Sequence, residues 1–157
     1  MFITLTDIQQ AAERIGPYVH RTPVLTNQSL NQQVRAQVYL KCENMQKVGA
    51  FKFRGACNAV YSLSDEDAKR GVCTHSSGNH AQALALAARM RGIPAYIVMP
   101  NNAPQVKQAA VSAYGGQVTF CEPTLEARES TLETIRLHTA ASLVHPYNDA
   151  LPPSPLR

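Results

Sequence analysis

Between residues 64 and 144 short apolar runs and longer helical stretches take turns with a regularity that few folds permit. Strand signals near residues 72–74, 95–99, 117–121 and 142–144 are separated by helical patterns over 78–90, 103–113 and 125–138. Each intervening helix can return the chain to the same end of the sheet. The spacing therefore predicts an α/β fold: a parallel sheet in three layers, with helices on both faces. The stretch holding Ala81, Leu84, Ala85, Leu86 and Ala88 is apolar on nearly every side, which suits a helix pressed between the sheet and a further layer. Gly92, Gly115 and Gly116 stand where helices should stop and where positive φ is favoured.

The first 63 residues follow another pattern. Thr6-Asp7-Ile8-Gln9 has the form of a capping box, and Ile8, Ala11, Ala12 and Ile15 follow at helical spacing up to Gly16-Pro17. Residues 21–25 and 37–40 are expected to be extended. A turn through Val48-Gly49 then leads into a helix over 51–63, with Lys52 in its first turn. At the other end, Pro152, Pro153 and Pro155 suit neither a helix nor a central strand, because proline lacks an N–H and fixes φ. The expected division is 1–63, 64–146 and an irregular tail over 147–157.

Charge and motif content remove several function classes. The formal charge is only +4 and no basic run is longer than Lys69-Arg70, so no nucleic-acid or membrane-surface footprint is visible. No secretion signal is recognisable, and no apolar run approaches the roughly 20 residues of a membrane span, so the protein reads as cytoplasmic. Cys42, Cys57, Cys73 and Cys121 form no C-x-x-C pair and read as reduced thiols. His75 and His80 are five apart with no carboxylate beside them, which argues against a metal site. Nucleophile-elbow, P-loop and dinucleotide-binding glycine motifs are absent from the sequence.

Two segments carry chemical potential. In Val48-Gly49-Ala50-Phe51-Lys52-Phe53-Arg54-Gly55-Ala56, a lysine between two phenylalanines at a helix start sits where desolvation and the helix dipole disfavour its charged form. A neutral amine is the nucleophile that condensation with an aldehyde requires. The bland alternative is a lysine whose stem covers its neighbours while its ammonium reaches water. In His75-Ser76-Ser77-Gly78-Asn79-His80, at a strand-to-helix junction, outward-pointing amides and the dipole make a ready anion site. The alternative there is a plain N-cap by Ser76 or Ser77.

The run Lys41-Cys42-Glu43-Asn44-Met45-Gln46-Lys47-Val48-Gly49-Ala50-Phe51-Lys52-Phe53-Arg54-Gly55-Ala56, followed by Thr74-His75-Ser76-Ser77-Gly78-Asn79-His80-Ala81-Gln82-Ala83, resembles the serine/threonine dehydratase family of fold type II pyridoxal-phosphate enzymes. Arg21-Thr22-Pro23, Ile97-Val98-Met99-Pro100, Ala103-Pro104, Ala113-Tyr114-Gly115, Cys121-Glu122-Pro123 and His145-Pro146-Tyr147-Asn148-Asp149 extend the similarity over nearly the whole chain to Asp149. The resemblance implies the small domain of a tryptophan-synthase-β-like fold, preceded by an incomplete N-terminal part of the large domain. It implies pyridoxal 5'-phosphate as cofactor, held by a Schiff base to Lys52, with Phe51 beside the ring and Asn79 on its 3-hydroxyl oxygen. Ser76, Ser77, Gly78, Asn79 and His80 would receive the substrate carboxylate, and Lys52 would move the α-proton on one face.

Ser77 resembles the racemase-like and hydroxyaspartate-dehydratase-like members, where a second serine stands in this loop, and its hydroxyl could return the proton on the opposite face. Arg128 stands on the stripe of Leu125 and Leu132, an odd place for a guanidinium. In racemase-like relatives an arginine at the matching place meets a second carboxylate; the alternative is a snorkelling side chain. After Asp149 the family pattern stops, and with it the implied phosphate loop, the residue facing the pyridine nitrogen and the divalent-cation ligands. Apolar surface is thus expected to be exposed around Val24, Val38, Leu40 and the Lys52 helix. A fragment, one half of a two-chain enzyme and a non-catalytic remnant all fit this ending. The implied activity is that of a serine racemase or serine/threonine ammonia-lyase, with 3-hydroxyaspartate ammonia-lyase as the alternative; a homodimer is implied for the full-length family.

Overall fold

The computed structural model describes residues 3–146 of the 157-residue chain, so the expected tail over 147–157 lies outside the described residues. Four strands, β3 (Val72–His75), β4 (Ala95–Pro100), β5 (Gln117–Cys121) and β6 (Ser142–Leu143), form a wholly parallel sheet in the order β5-β4-β3-β6. Helices α5 (Asn79–Arg91), α6 (Gln105–Ala113) and α7 (Leu125–Thr139) make the crossovers. The side chains of the strands alternate: Val72, Ala95, Ile97 and Met99 join the core under α5 and α6, while Cys73, Val98 and Cys121 join Leu132 of α7 on the opposite face. The expected three layers with helices on both faces are therefore present.

The earlier segment wraps the α5 side. It contains α1 (Leu5–Ile15), α2 (Gln28–Val34), α3 (Lys52–Ser62), α4 (Asp65–Arg70) and an antiparallel ribbon of β1 (Val24–Leu25) with β2 (Leu40–Lys41). Helix α3 packs directly on α5, which explains why the latter is buried nearly all round. One cluster consequently runs from Ile15 through Phe53 and Val60 to Leu84 and Ile97. Val24 and Leu40 are exposed, as expected, and so are Leu25 and Phe51; Val38 is half-buried, and the Lys52 helix, expected to leave apolar surface exposed, buries Phe53, Ala56, Cys57, Ala59 and Val60 against α5 and the sheet.

Several local details differ from expectation. The first helix is capped by Thr4, whose hydroxyl accepts from the Asp7 amide while the Asp7 carboxylate accepts from the Thr4 amide, so the capping box lies two residues before Thr6. Helices α2 and α4 were not foreseen. Each is short, but side-chain caps from Asn27 and Ser64 satisfy their first amides, and α4 has three acids in its first turn and two bases in its last. The second strand is shifted to Leu40–Lys41, where it pairs with Val24 and Leu25. Gly92 and Gly115 have positive φ, whereas Gly116 is needed for space: a Cβ there would lie 2.7 Å from Val111 Cγ1.

Candidate active site

The chain order of the sheet locates a crevice before any side chain is considered. Strands β3, β4 and β5 advance in one direction and β6 returns to the other side of β3; α5, which leaves β3, lies on one face of the sheet, and α7, which leads into β6, lies on the other. Ligands of open parallel sheets bind at such switch points, beyond the carboxyl ends of the strands. Residues 76–78 leave β3 there, and His145-Pro146 follows β6 there.

The approach to α3 is held in an unusual backbone. Val48 (φ +57°) and Gly49 (φ +67°) are successive left-handed residues, a conformation that costs a β-branched side chain on the order of 1–3 kcal/mol. Gln46 supports it. Its buried side chain accepts from the His20 and Lys47 amides and donates to the His20 carbonyl, at 2.9–3.0 Å. Lys52 then opens α3, with no side-chain cap at Phe51 and no acid in the first turn. Two cations, Lys52 and Arg54, therefore face the positive end of a helix, each at a cost of about 0.3–1 kcal/mol.

Lys52 is half-buried. Its Nζ donates to the Pro146 carbonyl at 2.7 Å and lies 5.3 Å from the centre of the Phe51 ring. The expected enclosure between two phenylalanines does not form: consecutive helical residues diverge by about 100°, so Phe53 is fully buried in the core while Phe51 stays 61% exposed. Lys52 instead stands on the wall of a cavity of about 510 Å³, with Phe51, Arg54, Gly55, His80 and His145 among its other lining residues. Nothing lies within 4 Å of where a Gly55 Cβ would be, so that glycine leaves the wall open.

A polar knot adjoins the cavity. Arg54 grips Glu43 through two nitrogens, Nε to Oε2 at 2.9 Å and Nη2 to Oε1 at 2.8 Å, and also donates to the His20 carbonyl. Thr22 Oγ1 donates to Glu43 at 2.6 Å and Lys41 Nζ to the Thr22 carbonyl at 2.7 Å. The Arg54 hydrogen bond, aided by Thr22 and by the charges of Arg54 and Lys41 and opposed by burial, pulls the Glu43 carboxyl from 4.5 to about 2. A carboxyl lowered on folding contributes stability that is fully present above about pH 4.5 and is lost as the pH falls through about 2. Glu43→Gln should cost about 1–2 kcal/mol at neutral pH after solvent screening and flatten that acid limb, read by unfolding at stepped pH. An unchanged acid limb would mean that the pair contributes nothing.

The second predicted segment forms the turn into α5. Ser76 donates its amide to Val98 and its hydroxyl oxygen accepts from the Gly78 amide at 3.3 Å, while Gly78 is the cap residue and no side chain caps α5. A plain serine cap is thus not what occupies this position. Ser76, Ser77 and Gly78 are half-buried and Asn79 is exposed; of the turn, only His80 is among the residues lining the Lys52 cavity. His80 is buried, and its Nε2–H donates to the Val144 carbonyl at 3.1 Å, tying the start of α5 to the end of β6.

On the α7 face, His75 meets His145 edge to face at 6.1 Å. Burial, then His145 and Arg128, hold the His75 imidazole below its ordinary value, against the pull of Glu129. Arg128 is half-buried and its Nε is buried without a hydrogen-bond partner. The stripe assigned to it is corrected in part, since Leu125 is 61% exposed and the buried side of α7 runs through Leu132. Among the described residues no group of three or more His, Cys, Asp or Glu side chains could hold a metal ion. Glu43, Arg54, Gln46 and Thr22 lie inside the runs that carry the resemblance but receive no chemical role from the sequence; two cations in one helical turn without an acid are the local signal that Arg54 needs a partner.

The protein is similar to known ones over most of its length. Residues 15–154 match the family described as pyridoxal-phosphate dependent enzyme. The chain is 54% identical over 145 residues to a serine racemase of Arabidopsis thaliana, covering 92% of this chain and 44% of that protein. It is 51% identical over 146 residues to a beta-hydroxyaspartate dehydratase of Paracoccus denitrificans (strain Pd 1222), covering 93% and 46%. The crystal structure of serine racemase from Dictyostelium discoideum superposes with a TM-score of 0.91 at 49% identity, over 94% of this chain and 48% of that one. The chain thus spans a little under half the length of the relatives it matches.

Proposed function

The chain belongs to the pyridoxal-phosphate dependent enzyme family, and from that premise we propose that it carries the lysine-bearing part of an enzyme that racemises serine or eliminates water and ammonia from small hydroxy amino acids. The observation that supports this most directly is the Lys52 amine on the wall of a cavity of about 510 Å³ at the switch point of the sheet. That volume lies within the range of small-molecule sites, and the cavity offers an amine, an aromatic face at Phe51 and an open wall at Gly55, which fits an aldehyde cofactor with a planar ring. When bound, pyridoxal phosphate supplies the electron sink that makes an amino acid's α-hydrogen acidic.

In this reading Lys52 holds the cofactor covalently and moves the α-proton on its own side, Phe51 flanks the ring and Asn79 donates to the ring hydroxyl oxygen. The substrate carboxylate is received by Ser76, Ser77, Gly78, Asn79 and His80, at a helix start that no side chain caps. Ser77 moves a proton on the opposite side. Residues 1–63 are assigned to the large domain and 64–146 to the small one, and a homodimer and a cytoplasmic setting belong to the same proposal. Among the described residues, no helix is long and apolar enough to cross a membrane.

A second reading, ammonia loss from 3-hydroxyaspartate, is favoured by one observation: the buried, unpartnered Nε of Arg128 is a donor available to a second carboxylate. Comparing serine, threonine and 3-hydroxyaspartate as substrates separates the two readings. The cofactor assignment is tested by incubation with pyridoxal phosphate, borohydride reduction and peptide mapping. Label should concentrate on Lys52 rather than on Lys41, Lys47, Lys69 or Lys107; an even spread would sink the proposal and leave a non-catalytic remnant.

A further inference from the structure

We infer that Arg54, fixed by Glu43, is the positioning residue that ties down the first turn of α3 and sets where the Lys52 amine lies. This rests on the reading of Lys52 as the cofactor lysine. Helix α3 begins without a side-chain cap, and backbone bonds from Phe53 to Ala50 and from Arg54 to Phe51 lead into its first turn. The segment feeding it passes through two left-handed residues, so regular helix geometry does not extend back into the approach. Arg54, within that first turn, ties it to the chain upstream. Its planar fork reaches back to the turn at Glu43 and to the His20 carbonyl, and Thr22 closes the set through its hydroxyl. Two chain segments upstream, at His20–Thr22 and at Glu43, are thereby tied to the turn that holds Lys52, and Lys41, Glu43, Lys52 and Arg54 line the same cavity.

A guanidinium suits this task better than an ammonium, because two parallel bonds fix a direction as well as a distance. Glu43 also neutralises the second cation at the helix start. A merely structural ion pair would lower stability and leave the relative reactivity of the five lysines unchanged. A positioning pair would redistribute it.

The experiment measures the share of borohydride-fixed pyridoxal phosphate on Lys52 relative to the other four lysines, in the 157-residue chain and its variants. In Glu43→Gln and Arg54→Met the Lys52 share should fall roughly tenfold, within the hundredfold that a displacement of an ångström can cost. Glu43→Asp, which keeps the carboxylate, should recover most of it. Arg91→Met provides the comparison, since Arg91 holds Asp65 and the Leu63 carbonyl at 3.0 Å, away from the cavity; it should lose stability and keep the Lys52 share. Should Arg54→Met fail to fold, Glu43→Gln against Glu43→Asp carries the test. Preference for Lys52 in the parent chain that persists in Glu43→Gln overturns the positioning role alone. No preference in the parent chain overturns the cofactor reading and this inference with it.

Discussion

Under the proposed function, replacing Lys52 with methionine is expected to abolish both racemisation and elimination of serine, by at least the 10²–10⁴-fold that a positioned acid–base group supplies, and to remove the borohydride-fixed label at this position. The fold should survive. Lys52 is half-buried and methionine keeps a similar unbranched stem, while losing the hydrogen bond from Nζ to the Pro146 carbonyl should cost about 1 kcal/mol. Ser77→Ala offers the contrast, with racemisation lost and elimination largely kept, because only inversion needs a proton delivered to the second face. Chiral analysis of serine together with keto-acid release measures both outcomes. Turnover by Lys52→Met at the parent rate would end the enzymatic reading, and equal loss of both outcomes in Ser77→Ala would remove that residue's assigned role.

Phe53→Ala should produce the largest loss of stability, about 3–5 kcal/mol, in denaturant or thermal unfolding. Phe53 is fully buried and belongs to the cluster that joins α3 to α5 and the sheet. The loss is a large part of the 5–15 kcal/mol that usually holds a domain together. It also bears on function, since Phe53 directly follows Lys52 and its burial sets which way the first turn of α3 faces. A cost below about 1 kcal/mol would mean that α3 is not seated on α5, and the placement of the Lys52 amine would fall with it.

The contrast between Phe51 and Phe53 shows where sequence reading stopped. Both flank Lys52 in the chain, and both were expected to enclose it. A helix turns about 100° per residue, so one neighbour enters the core and the other faces the cavity, and which does which depends on where α5 lies. The Glu43–Arg54 pair was hidden for a related reason. Eleven positions separate its partners, across a short helical turn and a left-handed kink, and no periodicity in the sequence encodes that distance. Thr22 and His20, further upstream still, join it only because the chain folds back.

The alternation of strands and helices, the start of α3 near Lys52 and the strand-to-helix turn before α5 were determined by the sequence alone. They depend on local pattern: apolar spacing, glycine at helix ends, and backbone amides that a first turn cannot pair. The strand order was not so determined, nor the return of β6 beside β3, nor the meeting of Lys52 with His80 and Pro146 around one cavity. Those relations depend on which buried faces pack together. Burial free energy is non-directional and is shared among many residues, so only the assembled structure decides it.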